Sequence, residues 1–198
     1  MRHFHTIRFR RGKLPHWEVE GGRYFITVRL ADSLPDEVVA RLQEIHQTLS
    51  TIESASEQFA ALQRQYFRTM EKYLDAGTGS CAHCDPRCAQ AIVAELAALS
   101  EWAVDAPHFA IMPNHWHALL VPRAECVHSL DQVMKRLKGR TAKQLRRIVG
   151  GSGTVWQREW FDRWMRDDLE CEKTVAYIRN NPVKAGLAAK WEDHPWTR

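Results

Sequence analysis

The segment Pro113-Asn114-His115-Trp116-His117, running into the apolar stretch Ala118-Leu119-Leu120-Val121, does most to limit how this chain can fold. Residues 102 to 112 before it and 115 to 121 after it read as strands joined tightly at Pro113-Asn114, an antiparallel hairpin. Side chains alternate along a strand, which puts His115 and His117 on one face and Trp116 on the other, in a core. Two imidazoles side by side on a rigid strand are half of a divalent metal site. Ten histidines also produce such pairs by chance. His3-Phe4-His5 has no apolar strand after it and is read as one of those coincidences.

The remaining elements are legible from period and punctuation. Residues 23 to 30 alternate and are rich in β-branched and aromatic side chains, which predicts a strand. Leu34-Pro35-Asp36 opens a helix whose apolar stripe, Val38, Leu42, Ile45 and Leu49, runs to about Ser50. Further helices are expected over about 57 to 74 and 86 to 99. Residues 1 to 21 are basic, broken by Pro15 and Gly21-Gly22, and are expected to form a loosely held arm. Trp156, Trp160 and Trp164 stand four apart, which fits one face of a helix or of a strand, and Phe161 and Met165 favour a strand at about 160 to 166; the expected role of the tryptophans is core, although one could stack an extruded base. Asp167 with Glu170 suggests a capping box for a last helix from Asp168 to about Asn180. Pro182 disfavours helical geometry at the residue before it, so Asn181 is expected at or just past the helix end. Strands mixed with helices and a hairpin give one α+β domain over residues 1 to 198, without repeats or a second domain.

Composition excludes some classes. No apolar run approaches the ~20 residues that cross a bilayer, and the N-terminus lacks a signal-peptide core. Five cysteines without a secretory signal suit reduced thiols in a cytosol. The net charge of +4 is modest, but its distribution is not: no Asp or Glu occurs from Gln132 to Gln157. Lys135, Arg136, Lys138, Arg140, Lys143, Arg146 and Arg147 all fall in that window. Val133, Leu137, Leu145 and Ile148 make the segment an amphipathic helix, broken near Gly139, whose basic face suits a phosphate backbone. Gly150-Gly151-Ser152-Gly153 then reads as a hinge. Cys81, His83, Cys84 and Cys88 have the ligand types of a structural zinc site, but this is one short cluster, and free thiols are the default.

Taken in order, Met112-Pro113-Asn114-His115-Trp116-His117, Trp156-Gln157 and Tyr177-Ile178-Arg179-Asn180-Asn181-Pro182-Val183-Lys184-Ala185-Gly186-Leu187 resemble the single-tyrosine HUH transposases. Within that superfamily the chain looks most like the REP-associated tyrosine transposases. Tyr24 to Pro35 and Asp85-Pro86-Arg87 extend the resemblance to roughly residues 22 to 196. It implies a ferredoxin-like antiparallel sheet flanked by helices. It also implies Tyr177 as nucleophile, with His115, His117 and Asn181, four residues after the tyrosine, as ligands of Mg²⁺ or Mn²⁺. Imidazole alone would equally accept zinc. The implied substrate is single-stranded DNA near a hairpin of a repetitive extragenic palindrome, cleaved and rejoined through a 5′-phosphotyrosine. The implied setting is a bacterial cytoplasm, in association with the nucleoid, as monomer or dimer. A non-catalytic DNA-binding descendant is the alternative. A rolling-circle replication initiator is a further one, although such proteins often carry two tyrosines and a helicase domain.

Overall fold

A computed structural model describes residues 6–11, 15–52 and 56–198; the His3-Phe4-His5 pair lies outside them. Strand alternation does the organising. In β3 (Tyr24–Arg29) all six residues are buried, because both faces of the strand are covered. It pairs antiparallel with β5 (His115–Pro122), in a register that sets Thr27 opposite His117 and Arg29 opposite His115. On its other edge it pairs with β6 (Phe161–Trp164). Outside β5 lies β4 (Val104–Ile111), the other arm of the predicted hairpin. The sheet order β4-β5-β3-β6 is antiparallel throughout. In chain order this is second, third, first, fourth, the arrangement of a ferredoxin-like βαββαβ unit.

Period two sends the two sides of each strand into different cores. Tyr24, Ile26, Val28, Trp116, Ala118 and Leu120 pack against α3 (Pro86–Ala97) and α4 (Leu130–Val149). Phe25, Leu119 and Phe161 pack against α1 (Asp36–Thr51), α2 (Glu57–Leu74) and α5 (Asp168–Lys184). Trp116 is completely enclosed. Burying an indole removes about 150–250 Å² from water, a stabilisation of at most about 4–6 kcal/mol.

Four expectations need correcting. The supposed loose arm carries a second small sheet, β1 (Thr6–Arg11) paired antiparallel with β2 (Pro15–Val19). Its anchor is His16, which is buried, hydrogen-bonds Asp162 of β6 and stacks on Trp160 at 4.6 Å. The basic helix is unbroken at Gly139, where a Cβ would meet nothing within 4 Å, so the glycine faces solvent and the apolar stripe holds the helix across it. Residues 150–153 are tied rather than free as a hinge: Gly150 ends α4 at φ 79°, and the Arg146 guanidinium donates to the Gly153 carbonyl at 3.1–3.2 Å. Finally, α5 continues through Pro182 to Lys184. A proline removes one ladder bond, and the last turn is closed by Ala185 N–H to the Asn181 carbonyl and Leu187 N–H to the Pro182 carbonyl. Asn181 therefore sits inside the helix and is buried.

Candidate active site

His115 and His117 lie on the sheet face that carries α2 and α5, and both are fully enclosed. Their Nε2 atoms stand 3.1 Å apart. Each ring is held from behind. His115 Nδ1 donates to the Asn114 side-chain oxygen at 2.8 Å, and that amide is oriented by its own N–H bond to the Thr78 carbonyl at 2.9 Å. His117 Nδ1 is 2.9 Å from the Thr27 hydroxyl, its cross-strand partner. With Nδ1 engaged, Nε2 is the atom each ring presents, the outer-shell pattern of metal-ligating histidines. Burial pushes both imidazoles down, His117 to about 3 with Lys184 nearby, and His115 well below its ordinary value with His117 as a further cause. At neutral pH both are uncharged and have no proton to lose on binding a cation.

A carboxylate completes the cluster that sequence reasoning missed. Glu71 of α2 is buried, and its Oε2 is 3.6 Å from His117 Nε2. Among the described residues, Glu71, His115 and His117 are the group of three acidic, His or Cys side chains whose ligand atoms converge, all within 4.8 Å. Burial raises the Glu71 carboxyl to about 7, opposed by its hydrogen bond from Tyr177. The sequence did hold a signal: Glu71 falls on the apolar stripe of α2, one turn from Phe67 and Leu74, where a carboxylate is costly unless partnered.

Tyr177 comes from α5, half-buried between the rings of Phe25, Phe67 and His117, with centroids 5.5–5.8 Å away. Its hydroxyl donates to Glu71 Oε2. Burial and the Glu71 charge raise the phenol well above its ordinary value, so it stays protonated until Glu71 takes the proton. One turn on, the Asn181 amide donates to the Tyr177 carbonyl at 2.8 Å. Its Oδ1 is buried without a hydrogen-bond partner among the described residues, as is Glu71 Oε1. Two neutral imidazole nitrogens beside orphaned amide and carboxylate oxygens are a donor set that fits a divalent cation.

The other predicted residues are placed elsewhere. The basic helix α4 packs on the opposite face of the sheet from Tyr177. Four of its seven cations are used internally. Arg136 pairs with Glu101 at 2.6 Å, and Arg140 with Glu95 at 3.0 Å. Lys138 donates to the carbonyls of Gln157 and Arg158 at 2.7 and 2.6 Å, and Arg146 holds Gly153. Lys135, Lys143 and Arg147 are exposed, with no ion pair among the described residues. The candidate zinc ligands do not gather. His83 is buried, donates from Nδ1 to the Met112 carbonyl at 2.7 Å and props the β4–β5 turn. Cys88 is in the core, Cys84 is exposed, and the Cys81 thiol bonds the Gly77 carbonyl at 3.1 Å. No described helix is long and apolar enough to cross a membrane.

Comparison with known proteins matches the family described as Transposase IS200 like over residues 84–181. That span contains both histidines, Tyr177 and Asn181. A REP-associated tyrosine transposase solved bound to a REP hairpin is 17% identical, with a TM-score of 0.49; the match covers 96% of this chain and 81% of that one. A transposase from Deinococcus radiodurans is 14% identical, with a TM-score of 0.36, covering 80% of this chain and 89% of that one. No curated protein matches.

Proposed function

The chain belongs to the IS200-like transposase family, and on that premise we propose that it is a metal-dependent single-tyrosine transesterase, which cleaves and rejoins single-stranded DNA beside a hairpin. The observation that carries this is the convergence of the Tyr177 hydroxyl, the Glu71 carboxylate and the His115–His117 pair in one buried cluster.

Tyr177 oxygen attacks the scissile phosphorus, and the bond from phosphorus to the 3′-oxygen breaks. The phenol proton passes to Glu71 Oε2, already its hydrogen-bond acceptor, whose pKa of about 7 suits a general base at neutral pH. Solvent protonates the departing 3′-oxygen. The products are a 5′-phosphotyrosine and a free 3′-hydroxyl, and because the phosphodiester energy is retained, a second 3′-hydroxyl can reverse the step. His115, His117 and Asn181 would hold Mg²⁺ or Mn²⁺. Such a cation supplies charge stabilisation at the phosphoryl oxygens. Phe25 and Phe67 hold the tyrosine ring on edge against His117.

The test is to trap the adduct. Incubated with Mn²⁺ and a hairpin oligonucleotide bearing an unpaired tail, the protein should form a covalent DNA adduct that maps to Tyr177 and is absent from Tyr177→Phe. Tight hairpin binding without any adduct would favour the non-catalytic descendant. An adduct at Tyr24, Tyr66 or Tyr73 would overturn the assignment.

A further inference from the structure

The seven cations of α4 lie across the sheet from Tyr177, so the charge that meets the cleaved strand must come from elsewhere. A cleft of about 540 Å³ opens between α2, β6 and α5, and Tyr177 is one of the residues that line it. It is lined by Arg64, Arg163, Arg166 and Lys173, and by Phe67 and Phe161, whose rings are 4.7 Å apart. Two acids line the same space, and both are committed. Glu170 pairs with Arg163 and accepts the Arg166 backbone N–H at 2.9 Å; Asp167 accepts the Glu170 N–H at 2.7 Å. Arg64 and Lys173 are exposed, with no ion pair among the described residues. The arginines are crowded: burial, then the charges of Arg166 and Arg64, pull the Arg163 guanidinium below its ordinary value. Clustered cations held this way favour an anion among them.

A second recess, about 320 Å³, also bordered by Tyr177, is lined by Arg68 and Lys72, by Lys184 paired with Asp75 at 2.5 Å, and by Glu71. Phe67 and Tyr177 border both spaces and form the ridge between them. Each space is of small-ligand size, far below the width of a duplex. A ridge of aromatic rings between two cationic hollows has the chemistry of a single-strand path, with stacking for bases and cations for phosphates.

Resting on the reading of Tyr177 as nucleophile, we propose that unpaired DNA lies in the α2–β6–α5 cleft, phosphates on Arg64, Arg166 and Lys173, and crosses the Phe67–Tyr177 ridge into the second recess. The scissile phosphate is then the one that tops the ridge. The cleft sets where along the strand cleavage falls by holding the neighbouring nucleotides.

The experiment compares a hairpin oligonucleotide bearing a short unpaired tail with the same hairpin lacking the tail, on the full chain. Arg64→Gln/Lys173→Gln is the informative variant, because neither side chain supports the fold through an ion pair. For the tailed hairpin, the log–log salt slope of binding should fall by about 1.4, at ~0.7 for each lost single-strand phosphate contact. Binding of the tail-less hairpin should be unchanged. An unchanged slope for the tailed substrate would overturn the path, as would an equal loss for both substrates, which marks a diffuse charge effect. The two readings separate cleanly. An adduct at Tyr177 together with an unaffected tail affinity refutes the cleft alone. A tail-specific loss of affinity stands even where the wild type forms no adduct, since it is read from binding.

Discussion

At the scale of single residues, the proposed step turns on the proton that the Tyr177 hydroxyl donates to Glu71. A phenol raised by burial is a poor nucleophile until a base is ready, and a buried carboxyl brought to about 7 is such a base. Because the folded carboxyl titrates near 7, its base form grows as pH rises through that value. Single-turnover cleavage should therefore rise across pH 6–8, with an acid limb set by Glu71. Glu71→Gln keeps the shape but cannot accept the proton, so the rate should fall by about 10²–10⁴ and the limb should vanish, while hairpin binding persists. A variant that retains both rate and limb would place the base elsewhere. Glu71 was the residue hardest to read in advance. Its role needs the partner helix, and along the chain it stands 44 positions from His115 and 106 from Tyr177.

Among the elements, α4 and α5 behave differently from what their sequences suggest. In α4 the acid-free face reads as one continuous basic surface, yet four cations are spent on Glu101, Glu95 and loop carbonyls. The three left over, Lys135, Lys143 and Arg147, face away from the site and can meet only DNA that passes the far side of the sheet, such as a duplex stem. Lys143→Gln/Arg147→Gln should lower the salt slope for a hairpin by roughly 1.8, at ~0.9 per duplex phosphate, and leave cleavage of saturating hairpin intact. An unchanged slope would make α4 a solvated face with no part in binding. In α5 the proline that marks a helix end in sequence is carried inside the helix, because the turn after it closes with its own bonds. That extra turn places Asn181 in the buried site rather than at its rim.

For the molecule as a whole, one sheet carries two cores: α3 and α4 cover one face, and α1, α2 and α5 cover the face that holds Tyr177 and the two histidines. The latter face encloses two neutral histidines, the kind of site whose occupancy couples to stability. A cation that binds the folded form alone raises stability by about 2.7 kcal/mol at a hundredfold excess over Kd. Mn²⁺ should accordingly raise the melting temperature, and EDTA should reverse the shift and abolish cleavage together. His115→Ala should remove the shift. Full cleavage in EDTA, or a shift that survives His115→Ala, would remove the metal from the site.

Much of this was determined by the sequence by itself. The β4–β5 hairpin, the shared face of His115 and His117, the inward Trp116 and helices α1 to α3 follow from local period and turn chemistry. So does the placing of Tyr177 on a helix, although Pro182 hid that Asn181 lies inside it. Only the tertiary structure decided which helix covers which face, because an amphipathic stripe shows that a face is buried but not against what. It brought Glu71 to Tyr177, put the basic helix opposite the site, brought Arg64 into one cleft with Arg163 and Arg166, and drew His16 onto Asp162. Each is a meeting of residues far apart in sequence, set by the order of strands in the sheet rather than by any pattern along the chain.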